Sequence, residues 1–191
     1  VVFSCDDVPL EVREKTGQVC GIDVGIEAFA TLDDGTRVEN PRPLASAWRT
    51  VLMAQRKVTR RKLRSRRRRK ARKLLAKVHR RVTNARKDFH HKTARTLVRA
   101  YDRIAVEDLN VAGLARGRLA KSVADVGWGS FLAILSSKAE GAGAQVTKVA
   151  ASGTSQECAA CGARVPKALS VRTHTCPECG FTAQRDVNAA L

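Results

Sequence analysis

The chain has 191 residues, of which 43% are hydrophobic and 28% charged, so it has enough apolar material for a core and is not a disordered polypeptide. No apolar run approaches the ~18 residues of a membrane span, and the first residues, VVFSCDDVPL, lack the features of a signal peptide, so we expect an intracellular protein with no membrane partner. The formal net charge is +18. The positive charge is concentrated in residues 40–87, which contain twenty Lys or Arg and no Asp or Glu. A charge that served only solubility would be spread over the chain, so this function is excluded.

The first predicted elements are β-strands. The stretches VVFS, QVCGIDV and AFATL are apolar runs of strand length, and the DDG at residues 33–35 predicts a hairpin turn before TRVEN. Pro41 and Pro43 end this sheet section and open a long helical region over about 44–100. From residue 71 onward, apolar residues recur in this region at the spacing of an amphipathic helix.

The most basic stretch, RRKLRSRRRRK, lies within that helical region and has almost no apolar face. We expect it to be helical only where phosphate screens the repulsion between its cations, with disorder as the alternative. Such a segment binds nucleic acid by neutralising phosphates; a membrane surface or a localisation signal is the other explanation, although a lipid-binding helix needs a strongly apolar face. The predicted nucleic-acid-binding residues are Arg60, Arg61, Lys62, Arg64, Arg66, Arg67, Arg68, Arg69, Lys70, Arg72 and Lys73.

The elements after the basic arm alternate between strand and helix. RIAVEDL is a short apolar strand that ends in two acids, and a loop containing Gly113 and Gly117 follows it. FLAILSSKAEGAG then predicts a helix, QVTKVA a strand, and RDVNAAL a final helical segment. This order predicts an α/β fold with a mixed sheet and helices packed on it.

Four cysteines form the pattern C-x2-C-x14-C-x2-C, namely Cys158, Cys161, Cys176 and Cys179. Two such pairs present four thiolates to one tetrahedral ion, the geometry of structural zinc, and the glycines after each pair, Gly162 and Gly180, permit the tight turns. Two disulfides are the alternative, and they require an oxidising compartment. His174 is a less favoured ligand, and the remaining Cys5 and Cys20 are expected to be buried as small apolar side chains.

Three carboxylates stand where an apolar segment ends or a helix begins: Asp23 in GIDV, Glu107 in IAVE and Asp186 in RDVNAA. Strand ends that converge at one edge of a sheet could use such acids to hold Mg²⁺ or Mn²⁺, which prefer oxygen ligands. Each acid alone is more often a cap or a surface residue, and the pattern by itself does not bring the three together. Asp108 is expected to be solvated, and Trp128 to pack a helix start against the sheet.

A resemblance to a known family covers nearly the whole chain, from about Val19 to Leu191. Five stretches carry it, in this order: GIDVGI, DGTRVENPRPL, VEDLNV, TSQECAACG and CPECGFTAQRDVNAA. The chain resembles the C-terminal nuclease half of the TnpB proteins of IS200/IS605-type transposons, relatives of the compact Cas12 effectors. The resemblance implies an RNase H-like (RuvC-type) mixed sheet with flanking helices, a long basic helical arm and an inserted zinc ribbon. It also implies a catalytic triad of Asp23, Glu107 and Asp186 that binds catalytic Mg²⁺ or Mn²⁺.

The same resemblance implies boundaries and a function. The nuclease core is expected over residues 1–155, including the basic arm at about 44–100, the zinc ribbon over 156–182, and the last segment, with the third acid, over 183–191. The implied activity is metal-dependent DNA cleavage by a transposon-encoded, RNA-guided nuclease of the prokaryotic cytoplasm, associated with the nucleoid. DNA is the expected partner, with guide RNA bound by the full-length parent.

Two other functions remain open at this stage. Family members have an N-terminal region that holds the guide RNA, and this chain has essentially none of it, which favours a catalytically idle zinc-ribbon module that only binds nucleic acid. The motif GIDVG also resembles the first phosphate loop of actin- and hexokinase-type phosphotransferases, but the chain is too short for their two-lobed fold.

Overall fold

The computed structural model describes residues 13–150, 156–168 and 171–191. The predicted strand VVFS and Cys5 lie outside the described residues. Five strands form one sheet: β1 (Val19–Val24), β2 (Ala28–Leu32), β3 (Arg37–Glu39), β4 (Arg103–Glu107) and β5 (Gln145–Val149). Together with the helices below, they confirm the predicted mixed α/β architecture.

The sheet is mixed, with the strand order β3-β2-β1-β4-β5. The first three strands form an antiparallel meander, and β4 and β5 run parallel to β1. The predicted turn at residues 33–35 is present: the N–H of Gly35 donates to the carbonyl of Leu32 at 2.9 Å, and Gly35 has a φ of 84°, a left-handed conformation that favours glycine. Strand β1 therefore lies in the centre of the sheet, paired on both sides.

One face of the sheet is covered by two helices, α2 (Arg66–Ala100) and α5 (Trp128–Gly141). Alternate residues of the central strands point into this core: Cys20, Ile22 and Val24 from β1, and Ile104 and Val106 from β4. Cys20 is fully buried, as expected for a small apolar side chain, and burial raises the pKa of its thiol to about 12. The residues between these positions point to the opposite face of the sheet.

The basic arm is a helical hairpin in which α1 (Pro43–Thr59) folds back against the first half of α2. Val51 and Ala54 of α1 pack with Val78 of α2 in a second, smaller core. Of the most basic stretch, residues 66–70 form the start of α2, whereas residues 60–65 form the turn between α1 and α2. The expected dependence of this helix on phosphate stays a prediction. Packing against α1 supports this helix start, and the Ser65 hydroxyl caps it by accepting from the N–H of Arg68 at 3.1 Å.

A carboxylate from another helix caps α1 and ties the arm to the sheet. No acidic residue lies in the first turn of α1, but Asp125 accepts from the N–H groups of Leu44 at 2.8 Å and Ala45 at 3.0 Å. The Arg86 guanidinium of α2 lies 3.3 Å from the same carboxylate. Asp125 is buried, so this charge is held by three donors from two helices.

The predicted loop around Gly113 and Gly117 is partly wrong, because two short helices form there: α3 (Val111–Leu114) and α4 (Ala120–Val126). Asn110 caps α3 by accepting from the N–H of Gly113 at 2.9 Å, and α4 is held by apolar side chains buried in the main core. The C-terminal part contains the hairpin β6 (Thr173–Thr175) and β7 (Thr182–Gln184), followed by α6 (Arg185–Ala190). Over the described ranges, no helix combines the length and the apolar character needed to cross a bilayer.

Candidate functional site

The four cysteines of the predicted metal module lie together. Their sulfur atoms are all within 4.8 Å of one another, with Sγ–Sγ distances of 3.6 Å for Cys158–Cys179 and for Cys161–Cys176. A tetrahedral ion with Zn–S bonds of about 2.3 Å requires sulfurs about 3.8 Å apart, whereas a disulfide requires about 2.05 Å. The four cysteines are free in this structure, and their spacing fits a metal such as zinc better than it fits disulfides.

The two halves of the module repeat the same turn. The N–H of Gly162 donates to the carbonyl of Cys158 at 2.8 Å, and the N–H of Gly180 donates to the carbonyl of Cys176 at 3.0 Å. Both glycines have left-handed backbones, with φ of 73° and 74°, as predicted for these turns. In the second turn, the N–H of Cys179 helps to lower the pKa of the Cys176 thiol to about 7, which favours the thiolate form that binds metal.

His174 is not a member of this sulfur group. It is fully buried, its Nδ1 contacts the Lys167 ammonium, and its Nε2 has no hydrogen-bond partner. Burial is the first cause that lowers the pKa of His174, and the neighbouring Lys167 charge is the second. A neutral imidazole packed near Phe181 is consistent with a structural role in the module.

Two of the three predicted acids are neighbours across the centre of the sheet. Ile22 of β1 pairs in parallel register with Val106 of β4, so the next residues on the two strands, Asp23 and Glu107, lie side by side. Register partners point to the same face, and adjacent strands are about 4.8 Å apart. Asp108, by contrast, is exposed and lies 3.0 Å from the Lys148 ammonium, as expected for a solvated residue.

Helix α6 brings the third acid to this face of the sheet. Asp186 lies in the first turn of α6, which packs against β1. The approach is close because Gly21 has no side chain: a Cβ atom there would lie 1.7 Å from the carbonyl oxygen of Ala190. Asp23 and Asp186 line the same cavity of about 260 Å³, together with Trp128, which is buried at the start of α5 as expected.

The three carboxylates act on one another electrostatically. The pKa of Asp23 is raised to about 7, first by burial and then by the negative charges of Glu107 and Asp186, whereas Arg185 opposes the shift. Within the described ranges, the four cysteines are the one group of three or more side chains whose ligand atoms lie close enough together to share a metal ion. The acids instead form a cluster of mutually repelling charges, which a divalent cation would relieve.

The raised pKa of Asp23 predicts an unusual pH dependence of stability in Mg²⁺-free buffer. The pKa of Asp23 is about 7 in the folded protein, against an ordinary value of 3.8, so between these pH values the folded protein holds a proton that the unfolded chain releases. The free energy of unfolding should therefore fall as the pH rises from about 4 to about 7. Asp23→Asn should remove this fall and stabilise the protein at pH 8 by an amount on the order of a few kcal/mol.

Urea unfolding of the zinc-loaded protein at pH 4 to pH 8 measures this effect. Asp108→Asn provides the matched control, because it makes the same substitution at an exposed acid that is paired with Lys148. A pH profile of Asp23→Asn that parallels the wild type would show that the pKa of Asp23 is not raised in the folded protein.

Sequence reasoning missed an ion-pair cluster at the rim of the acidic site. The Arg172 guanidinium lies 2.7 Å from one carboxylate oxygen of Glu27, and Arg37 lies 3.8 Å from the other. These residues line a second cavity of about 130 Å³ with Arg185 and Asp186. No sequence signal marks Arg172, because its place depends on how the cysteine module docks on the core.

The basic arm presents its charges at the closed end of the helical hairpin. Lys57, Arg61, Arg67 and Lys70 line a cavity of about 280 Å³ whose wall also includes Leu74. Lys57 is absent from the predicted nucleic-acid-binding set because it lies on α1, outside the most basic stretch. Ten of the eleven predicted cations are exposed, namely Arg60, Arg61, Lys62, Arg64, Arg66, Arg67, Arg69, Lys70, Arg72 and Lys73.

Arg68 differs from the other predicted cations because its side chain turns inward. Its Nη1 donates to the carbonyls of Val58 and Arg61, at 3.1 Å each, and so bridges the turn between α1 and α2. The guanidinium is a second donor to the Val58 carbonyl, which also accepts from the N–H of Arg61 at 3.3 Å. Arg68 therefore stabilises the turn between α1 and α2.

Two family models match the chain. A model described as "Probable transposase", of the OrfB type found in IS605 elements, matches residues 3–118. A model described as "Cas12f1-like, TNB domain" matches residues 128–191, which include the cysteine module and the third acid.

Two individual relatives are named as RNA-guided DNA endonucleases. The chain is 36% identical over 193 residues to a "Putative RNA-guided DNA endonuclease" of Streptomyces pristinaespiralis, covering 100% of this chain and 48% of that protein. It is 29% identical over 192 residues to "Putative RNA-guided DNA endonuclease InsQ" of Escherichia coli (strain K12), covering 92% of this chain and 48% of that protein. The chain thus spans about half the length of these curated relatives.

The fold is similar to that of a solved chain in the cryo-EM structure of a Cas12f1–sgRNA–target DNA complex. The TM-score is 0.61, and the match covers 96% of this chain and 50% of that chain. The sequence identity is 17%, so this similarity concerns the fold alone.

Proposed function

Because this chain belongs to the OrfB family of IS605-type transposases, we propose that it is the DNA-cleaving part of a TnpB-like, RNA-guided endonuclease. One observation supports the proposal above all others: Asp23 lies beside Glu107 in the parallel register of β1 and β4, and it lines one cavity with Asp186. Burial and the charges of these two acids together raise the pKa of Asp23 to about 7. The order of the strands, an antiparallel meander followed by two parallel strands, supports an RNase H-like sheet of the RuvC type.

In this proposal Asp23, Glu107 and Asp186 hold Mg²⁺ or Mn²⁺ at the open face of the sheet. Such ions, when bound, supply an activated water and stabilise the departing 3′ oxygen of a DNA phosphodiester. Asp23 must be ionised to serve as a ligand, and cation binding favours that form by offsetting the charges of its neighbours. Arg172, at the rim, is placed to bind phosphate oxygens of the same strand.

The cysteine module completes the proposal as a structural zinc ribbon. Four thiolates leave no open position on a tetrahedral ion, which is typical of zinc that stabilises a fold. We assign the ribbon to residues 156–182, between a nuclease core over 1–155 and a last segment over 183–191. Its role is to stabilise the segment that presents Asp186. The full-length parent would bind guide RNA and act on DNA at the nucleoid.

The basic arm is proposed to bind the nucleic-acid backbone, and two adjacent arginines provide a matched test. Arg67→Ala should weaken DNA binding and reduce the slope of log affinity against log salt by about one, because each phosphate contact releases about one counterion. Arg68→Ala removes the same charge but should instead lower the thermal midpoint, since it removes two hydrogen bonds that bridge the turn between α1 and α2. Fluorescence anisotropy at several salt concentrations and thermal unfolding measure the two effects. Equal salt slopes for the two variants would contradict this division of roles.

The proposed activity is tested with the purified, zinc-loaded chain, labelled single-stranded DNA and Mg²⁺ or Mn²⁺. Cleavage that requires the divalent ion would support the nuclease. The second candidate function is an idle module that only binds nucleic acid, and the exposed cations of the basic arm together with the cysteine module support it. Salt-sensitive binding without cleavage in either metal would support this second function and contradict the first.

A further inference from the structure

Helix α6 is held from two sides. On the sheet side, its last turn lies against Gly21 of β1. On the other side, the buried amide of Asn188 reaches the first cysteine turn: its Oδ1 accepts from the N–H of Ala159 at 3.1 Å, and its Nδ2 donates to the carbonyl of Glu157 at 2.7 Å. These two residues flank Cys158, so the Asn188 amide contacts the backbone on both sides of one metal-ligating residue.

The chemistry of this contact is specific to an amide. One end of the side chain must accept and the other must donate, and Asn188 is only 3% exposed, so water cannot easily replace either bond. An aspartate of the same shape would keep the acceptor but would place a second oxygen against the carbonyl of Glu157. The contact therefore depends on the identity of the side chain as well as on its size.

Asp186 lies two residues before Asn188 on the same six-residue helix. A helix of this length is unstable by itself, so its position depends on the contacts that its side chains and backbone make. Whatever fixes the backbone around Cys158 therefore also fixes α6, and with it the carboxylate of Asp186.

We propose that Asn188 is a positioning residue that couples the metal-bound state of the four cysteines to the placement of Asp186. A metal held by the four thiolates fixes the peptide groups of Glu157 and Ala159, and Asn188 transmits this order to α6. Loss of the metal releases α6 from the sheet. The effect on cleavage rests on the proposed function, whereas the coupling itself does not.

Hydrogen–deuterium exchange of residues 181–191 tests the coupling without any measurement of activity. In the wild type, removal of zinc by a chelator should speed exchange in α6 by about tenfold, because the helix loses its ordered neighbour. In Asn188→Ala, exchange should already be this fast with zinc bound, and chelation should add little. Zinc content and exchange in β1 and β4 should match the wild type.

The matched control is Gln156→Ala, which truncates another side-chain amide near the first cysteine turn. The side-chain Oε1 of Gln156 accepts a long 3.5 Å bond from Arg164 at the surface, and the backbone of Gln156 is unchanged by the substitution, so this variant should behave as the wild type. If Asn188→Ala does not fold, Asn188→Asp replaces it, because loss of the donor to Glu157 should also release α6. Slow, wild-type exchange in the folded variant with zinc bound would overturn the proposal.

A second readout separates this proposal from the proposed function. With zinc bound, Asn188→Ala should need about tenfold more Mg²⁺ for half-maximal cleavage while its DNA affinity stays unchanged, since a misplaced third ligand weakens the cation site. An unchanged Mg²⁺ requirement would contradict the positioning role. If the wild type cleaves nothing, the proposed function fails, and the exchange result still decides whether Asn188 couples the two sites.

Discussion

Replacing Asp23 with asparagine is expected to reduce Mg²⁺-dependent DNA cleavage by about a thousandfold or more while leaving DNA affinity unchanged. The amide keeps the size of the side chain but lacks the negative charge that holds a hard cation. The basic arm lies on α1 and α2, away from the acidic face of the sheet, so binding to the nucleic-acid backbone should persist. Single-turnover cleavage of labelled DNA, together with anisotropy in Mg²⁺-free buffer, measures both quantities.

The control for this prediction is Asp108→Asn, which removes the same charge one residue beyond Glu107. The Asp108 side chain is 62% exposed and pairs with Lys148, so its loss should change the cleavage rate by no more than about twofold. Equal losses in the two variants would indicate a general effect of charge on substrate binding. Wild-type cleavage by Asp23→Asn would show that the acidic cluster is not the catalytic site.

Gly21→Ala is expected to reduce cleavage by about a hundredfold, because the added methyl group displaces the helix that presents Asp186. The new Cβ atom would lie 1.7 Å from the carbonyl oxygen of Ala190 and 2.9 Å from its carbonyl carbon. Both are backbone atoms, so no change of side-chain rotamer removes the clash. Strand β1 is paired on both sides, whereas α6 is short, so α6 should be the element that moves.

The effect is measured as the rate at saturating DNA, together with hydrogen exchange in residues 181–191. Gly129→Ala is the matched control, because a Cβ atom on this α5 residue would meet no atom within 4 Å. That variant should cleave normally and be more stable by up to about 1 kcal/mol, since alanine is preferred over glycine in a helix. If Gly21→Ala keeps wild-type activity and slow exchange in α6, close packing between β1 and α6 is not required for the site.

Among the features determined by sequence, the strands and the cysteine turns are the clearest. Strand β2 was predicted as AFATL and occupies those residues, and β4 lies within the predicted RIAVEDL. The cysteine turns were predicted from two spacings and two glycines, because a C-x2-C turn needs only a few consecutive residues to present its sulfurs. Such signals are local, and the interactions that produce them span a few residues of chain.

The shape of the basic arm depends on contacts that its composition does not show. Composition predicts eleven cations for nucleic-acid binding and leaves the helicity of the stretch open. The Ser65 cap and the packing of α1 against α2 account for the helix that begins at Arg66, and the turn between the two helices explains why Arg68 points inward. Residue type determined the charge of this segment, but the partner helix decided its shape.

The acidic site shows most clearly which features the sequence determines and which features depend on tertiary structure. The sequence alone identified Asp23, Glu107 and Asp186 as chemically suitable and, by resemblance, as a set, and it determined the local geometry of the cysteine turns. The tertiary structure decided how the acids approach one another, through the parallel register of β1 and β4 and through the contact of Gly21 with Ala190. It also revealed Asn188 and Arg172, whose partners lie far away in the chain. Contacts between residues so distant in sequence leave no periodic pattern, because they depend on how complete elements pack and not on the spacing of neighbours along the backbone.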